Sequence, residues 1–360
     1  MRNVAQALPP AVSLLMGTLF AGAEASKILR RQRHRARPTS VPKGRDAAGR
    51  IACATLIAVS AFAAPPRQIY SLAWRPDGHT IALGAYRETR LADPTSSKVL
   101  ATLTGNADAV RALAFSHDGK RLATAGGLPA RKGEVKIWDV DSQSLITTIA
   151  GHSDCIYAVA FSPDGATLAT ASYDKLIKLW SVADGKEIRT LRDHIDAVYA
   201  LQFTPDGKRL VSGSADRSVK IWDVASGTRL YTLSDAADGI NTIAISPDGT
   251  RVAAGGLDKT IRVWRLGDKE GTLENSLIAH EDAILKLAWS PDGKYLSSAS
   301  ADRTIRLFEA SGLTEVRSMP QSDWAFGLEF APDGKRLAAA VFSGVLEFYE
   351  VDHEKALASK

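Results

Sequence analysis

Two stretches of twenty residues, FSPDGATLATASYDKLIKLW at 161–180 and FTPDGKRLVSGSADRSVKIW at 203–222, stand 42 residues apart and spell nearly the same phrase. A chain that repeats itself at such a period is built from one small unit, and each unit buries its apolar faces only against its neighbours. The turn in the phrase, P-D-G or a close variant, sets aspartates at Asp77, Asp118, Asp164, Asp206, Asp248, Asp292 and Asp333. Their intervals are 41, 46, 42, 42, 44 and 41 residues, which predicts seven copies across residues 66–360.

The copy at 151–191 shows what one unit builds. IYAVAF is short, apolar and rich in β-formers, so it reads as a strand. SPDG follows as a type I turn: Pro163 fixes φ near about −65° and Gly165 takes the left-handed position that closes it. ATLATAS is a second strand. LIKLWSV alternates apolar and polar and buries one face. KEIRTL is a fourth strand. A four-stranded antiparallel meander cannot cover both its faces alone, whereas such sheets packed radially can, leaving only short protected edges. The expected fold is an all-β propeller of seven blades, four antiparallel strands each, after a non-propeller N-terminal leader.

The pattern G-H, a gap, S-P-D-G, then S-x-D-x-x-x-[IVL]-x-[IVL]-W-D resembles the WD40 repeat family over about four-fifths of the chain. The copies nearest to the pattern carry Gly151-His152 with Asp174 and Trp180, and Asp193-His194 with Asp216 and Trp222-Asp223; both His-to-Asp gaps are 22 residues and both Asp-to-Trp gaps are 6. The resemblance implies a structural chain in each blade: the turn aspartate holds the histidine, the histidine holds a strand hydroxyl, and the hydroxyl meets the indole N–H. A buried indole N–H needs such an acceptor. Ser172 and Ser214 are the candidate hydroxyls, with Thr170 and Ser212 competing on the same strands.

Other copies depart from the pattern. The fifth has Asp258 and Trp264 but Ala236 in the histidine slot. The sixth has His280 and Asp302 but Phe308 for the tryptophan. The second has Asn106 and Trp138-Asp139, and a four-residue insertion, within GGLPARKGE at 126–134, in place of the turn aspartate. The first has Ala92-Asp93 where W-D would stand, and the seventh has Gln321, Ser343 and Tyr349-Glu350. These blades are expected to lean on apolar packing and to be locally less stable. The C-terminal YEVDHEKALASK aligns with WDVASGTRLYT, so the chain is expected to supply its own last strand, with no N-terminal strand needed for closure.

His and Asp recurring together raise the question of a metal or acid–base site. His152, His194 and His280 occupy one slot in three different copies and so fall far apart around a ring, whereas a metal needs its ligands within about 2.0–2.2 Å of one point. They are read as one structural network per blade. The P-D-G aspartates are turn residues on one rim, one per copy. There is no G-x-S-x-G elbow, P-loop or H-E-x-x-H. No catalytic residue, metal or cofactor is expected.

The surface carries more. The residue seven before each turn aspartate opens each blade's inner strand near one face: Tyr70, Arg111, Tyr157, Tyr199, Asn241, Leu285 and Phe326. Trp324 lies two residues before Phe326. Tyr173 precedes the second-turn aspartate, and Phe342 holds the matching slot in the last copy. The resemblance implies that these slots line a partner-binding face, and Tyr, Trp and Arg are the types that dominate binding hot spots; the competing reading is inner-strand core. The second-copy loop, with Arg131 and Lys132, replaces a tight turn on a rigid scaffold, a common place for function.

Net charge needs dividing. The chain has 45 Lys+Arg and 40 Asp+Glu, but residues 1–63 hold 10 basic and 2 acidic residues, leaving 35 and 38 and a net of −3 for the rest. The repeats therefore have no global attraction for nucleic acid. In the leader, Arg45 and Arg50 precede an apolar run at 51–64 that ends in small residues, with an A-x-A pattern at Ala61, Phe62 and Ala63. Residues 41–64 read as a signal peptide cleaved near Ala63, and the run is too short to span a bilayer comfortably. Residues 1–40, with KILRRQRHRAR at 27–37, read as a doubtful leader, untranslated or disordered; an extended leader or two-pass anchor is the rival. Cys53 lies in the signal peptide, so Cys155 is alone in the mature chain and no internal disulfide forms.

These observations point to a bacterial, exported, monomeric propeller, periplasmic or extracellular, that acts as a non-catalytic scaffold binding a protein or peptide through one face and the second-copy loop. Nucleic acid is not an expected partner. A cytoplasmic or membrane-anchored location is the rival. Two other functions stay open: a lactonase-like propeller hydrolase using the central channel, and an accessory subunit of a cytochrome-linked envelope assembly, for which a similar inserted loop is the only likeness.

Overall fold

The computed structural model describes residues 68–351. The leader, the cleavage site at Ala63, Cys53 and residues 352–360 of the expected closing strand lie outside the described residues. Every element among the described residues is a β-strand, and paired strands run antiparallel. The first sheet holds β1 (Ile69–Trp74), β2 (Ile81–Ala92), β3 (Val99–Phe115), β4 (Arg121–Leu128), β5 (Lys132–Asp139) and β6 (Leu145–His152). The second holds β7 (Ile156–Phe161), β8 (Thr167–Ser172), β9 (Ile177–Ser181) and β10 (Glu187–Leu191). The third holds β11 (Val198–Phe203), β12 (Arg209–Ser214), β13 (Val219–Asp223) and β14 (Arg229–Leu233). The fourth holds β15 (Ile240–Ile245), β16 (Arg251–Gly256), β17 (Thr260–Leu266) and β18 (Gly271–Ile278). The fifth holds β19 (Ile284–Trp289), β20 (Tyr295–Ser300), β21 (Thr304–Glu309) and β22 (Thr314–Pro320). The sixth holds β23 (Ala325–Phe330), β24 (Arg336–Val341) and β25 (Leu346–Glu350).

The expectation of seven four-stranded blades is thereby corrected. The described residues form six hydrogen-bonded sheets, hence six blades: one of six strands, four of four and one of three. The cause is β3, which runs 17 residues without a break. Its first part pairs with β2, as in Leu91↔Ala101, and its last part pairs with β4, as in Leu113↔Thr124. The first two copies therefore share one sheet. That sheet folds over at β3, so that Ala82, Leu91 and Leu103 pack on Leu122, Trp138 and Val140.

The P-D-G turns close by a local network. Gly165 has φ +70°, its N–H donates to Ser162 O at 2.8 Å, and Ser162 Oγ donates to Asp164 Oδ1 at 2.5 Å. That side-chain bond is the main reason the Asp164 carboxyl sits below the ordinary range. The core then lies between successive copies. Val211, Val219 and Ile221 of one sheet, for example, meet Ile240, Ile243 and Trp264 of the next.

The inner strands β1, β3, β7, β11, β15, β19 and β23 each pack on the next, and β23 packs back on β1. Ile69, Trp74 and Ile81 meet Ala331, Ala338 and Ala340 across that seam. Glu329 Oε2 accepts the Trp74 N–H there at 3.0 Å, just as Gln202 Oε1 accepts the Ile245 N–H at 2.9 Å between two other sheets. The ring is therefore closed within the described residues.

Candidate functional site

The residues behind the candidate face are held by side-chain hydrogen bonds. His152 Nδ1 lies 2.9 Å from Asp174 Oδ2, and its Nε2 lies 2.8 Å from Thr170 Oγ1, which also accepts the Trp180 indole N–H at 2.8 Å. The next sheet repeats this with His194 to Asp216 at 2.7 Å, His194 to Ser212 at 2.8 Å and Trp222 to Ser212 at 2.8 Å. The hydroxyls are thus Thr170 and Ser212, a correction to the candidates Ser172 and Ser214. Register is the reason. Trp180 pairs with Leu168, and Thr170 is the next residue on that face, within reach of the indole. Ser172 lies one step further and donates to Cys155 O at 2.9 Å; Ser214 likewise donates to Asp196 O at 3.1 Å.

Burial raises the Asp216 carboxyl pKa, but hydrogen bonds from His194 and Ser218 outweigh it and hold the group well below the ordinary range. Asp174 is held low by the same contest, with His152 prevailing over burial. His280 Nδ1 lies 2.9 Å from Asp302 Oδ2 and Nε2 lies 2.6 Å from Ser298 Oγ. Burial pulls the His280 pKa down against the pull of Asp302. Phe308, which replaces the tryptophan, is buried and needs no acceptor.

The departing copies find other partners. Asn106 Nδ2 donates to Thr124 Oγ1 at 3.1 Å, and Trp138 donates to the same oxygen at 3.1 Å. In the fifth copy, Trp264 donates to Asp235 Oδ2 at 2.8 Å, and Asp258 pairs with Arg262 at 2.6 Å. Asp235 and Arg262 were missed in the sequence; the signal was an acid directly beside the slot filled by Ala236. Among the described residues no three His, Cys, Asp or Glu side chains are placed to hold a metal.

Above these networks the inner-strand slots bring rings together. Trp324 and Phe326 stand 6.4 Å apart between centroids, Phe326 and Phe342 5.5 Å, and Phe342 and Tyr70 5.8 Å. A second cluster joins Tyr157 to Tyr199 at 5.1 Å and Tyr173 to both, at 6.2 and 6.5 Å. Arg111 links the clusters. Its Cζ lies 5.3 Å from the Tyr157 ring centroid, and its charge acts on the Tyr70 phenol. Burial pushes the Tyr70, Tyr157 and Tyr199 phenols up, so all three stay neutral at physiological pH.

Tyr173 is exposed, Arg111 is buried, and the other members of the arc are half-buried. They are neither sealed core nor free surface. Asn241 stands apart and donates to Ile284 O at 3.0 Å. Tyr86, 58% exposed, was missed. It follows Ala85, the partner of Ile69, as Tyr173 follows the partner of Ile156 and Phe342 the partner of Ala325. The irregular first-copy turn hides that slot in the sequence.

The second-copy insertion forms an extended β4–β5 hairpin, paired out to Leu128↔Lys132. Arg131 is exposed at its tip. The Ala130 N–H donates to Asp154 Oδ1 at 2.9 Å, which ties the tip to the loop leading into β7 and so to the Tyr157 side of the arc. The Cys155 thiol beneath it donates to Gly127 O at 3.2 Å, and burial pushes its pKa up to about 11, so it is held as an inert thiol.

No curated protein matches the chain. A family model, WD40 (WD domain, G-beta repeat), matches residues 97–139, 143–181, 185–223, 227–265 and 271–309, more than half of the chain. With five matched repeats forming sheets of a closed propeller, the chain belongs to the WD40 family.

Proposed function

We propose that this propeller is a non-catalytic scaffold that binds a protein or peptide through the face bearing the aromatic arc, with the β4–β5 hairpin at its edge. The observation that carries the reading is the run of half-buried rings from Trp324 through Phe342 and Tyr70 to Tyr199, with Arg111 among them. Rings of this kind offer large contact area at small entropic cost, and a rigid sheet scaffold holds them in place. Arg131 adds a charge that can reach beyond the face.

The test is site-specific photo-crosslinking in the native cell. A photoreactive residue at Tyr173 or Arg131 is expected to capture a discrete protein partner, and one at Lys294, on a P-D-G turn, is not. Capture should fall at least tenfold when Tyr157 and Phe326 are both changed to alanine, since each hot-spot truncation costs about 2 kcal/mol. Equal capture from both rims would overturn the reading.

We also propose export through residues 41–64, supported by Arg45 and Arg50 before the apolar run and by Ala61 and Ala63. N-terminal sequencing of the native protein is expected to start near Ala64, in an envelope or secreted fraction. A chain starting at Met1 in the cytosol would exclude it.

A further inference from the structure

Six residues before each turn aspartate, the inner strands carry Ser71, Ala112, Ala158, Ala200, Thr242 and Gly327, all small and neutral. The same slot on β19 carries Lys286. Side chains here reach toward the next inner strand: Ser71 Oγ donates to Val110 O at 2.8 Å, and Thr242 Oγ1 accepts the Leu287 N–H at 3.1 Å. Lys286 therefore projects toward β23, which carries Glu329, whose charge acts on it.

Other lysines withdrawn from solvent are paired. Lys136 Nζ donates to Thr148 at 3.1 Å, Lys178 to Glu187 at 2.5 Å and Lys220 to Asp193 at 2.8 Å. Lys286 is half-buried, and among the described residues it makes no hydrogen bond and no ion pair. A partly desolvated ammonium without an anion is costly. The acid whose charge acts on it is Glu329, which is already engaged by the Trp74 N–H. Burial lowers the lysine's pKa and pushes the Glu329 carboxyl up to about 7, so the two do not neutralise each other fully.

Leu285, the neighbour of Lys286 on β19, stands in the slot that Phe326 and Asn241 occupy on the adjoining strands. β19 packs on β23, which carries Phe326 at one end of the aromatic arc. We infer that the partner bound on this face inserts a carboxylate, from an acidic side chain or chain end, toward Lys286 on the inner ring. This rests on the reading of the arc as the binding face. One lysine serves one carboxylate at a time, so a ligand bearing several acidic groups needs to place only one of them there.

The test uses the full chain and a fluorescein-labelled glutamate–tyrosine copolymer, read by anisotropy. A mass-spectrometric measurement follows the rate of Lys286 acetylation in parallel. The copolymer is expected to bind, to slow Lys286 acetylation, and to bind about tenfold or more weakly to Lys286→Met, as loss of a charged hydrogen bond predicts. Lys286→Arg should restore part of the affinity, which separates charge from fold. Undiminished binding by Lys286→Met, unchanged acetylation, or no binding at all overturns the inference. Tighter binding of an oligothymidylate that also depends on Lys286 overturns it in favour of nucleic acid. If Tyr157→Ala weakens copolymer binding while Lys286→Met does not, the face survives and only the carboxylate pocket falls.

Discussion

At the scale of single residues, the hydroxyl shared by histidine and tryptophan matters most. Removing it in Thr170→Val leaves the Trp180 N–H and His152 Nε2 without a partner in the core. The expected loss is about 2–4 kcal/mol in urea denaturation, whereas Ser172→Ala should cost about 1 kcal/mol. Equal losses would show that the two hydroxyls are interchangeable. Asp216 makes a second, pH-dependent case. Its folded pKa is depressed, so its contribution is present above the ordinary carboxyl pKa of 3.8 and is lost as pH falls below that. Asp216→Asn should lower stability at neutral pH and flatten the acid limb of the stability profile. An unchanged acid limb would assign the acid sensitivity to other carboxylates.

At the scale of elements, strand length decides what a residue tolerates. The β4–β5 hairpin draws β6 out as far as His152, which pairs with Gly133. That places Gly151 directly against the Trp180 ring, where an added Cβ would sit 2.6 Å from Cη2. In the next copy β10 stops at Leu191, and the same slot accepts Asp193, whose carboxylate reaches Lys220 and Arg229. Gly151→Ala is therefore expected to cost about 1–3 kcal/mol by overpacking, seen as a lowered melting temperature. Shortening the hairpin to a two-residue turn should relieve most of that cost, and a persistent penalty would place the clash elsewhere.

At the scale of the whole molecule, the seam between β23 and β1 closes the ring, and Glu329 spans it. Burial raises its pKa to about 7, so the folded protein holds a proton that the unfolded chain releases from about pH 4.5 upward. The sign follows: this contribution is full below about pH 4.5 and is lost as pH rises toward 7, on the order of 3 kcal/mol. The charged group that bears on Glu329 is Lys286 from β19, and the neutral backbone N–H of Trp74 from β1 donates to it. Glu329→Gln should keep the seam bond and remove the decline in stability between pH 5 and 8. A variant that declines as steeply as the parent would clear Glu329 of the effect.

The sequence by itself determined the repeat, its turns and its alternating strands, because P-D-G turns and period-two patterning act over a few residues. The arc was legible too: Tyr70, Tyr157, Tyr199 and Phe326 share one offset from the turn aspartate, and strands in register carry equal offsets to one face. Tertiary structure alone decided the rest. Only pairing with both β2 and β4 shows that β3 is continuous and that the first two copies share one sheet. Only the reach of the indole selects Thr170 over Ser172. Only the surroundings of Lys286 set it apart from Lys136, Lys178 and Lys220, which are paired. A strand's offset is written in its own residues, but a partner is supplied by distant ones, and the chain does not record which of them arrives.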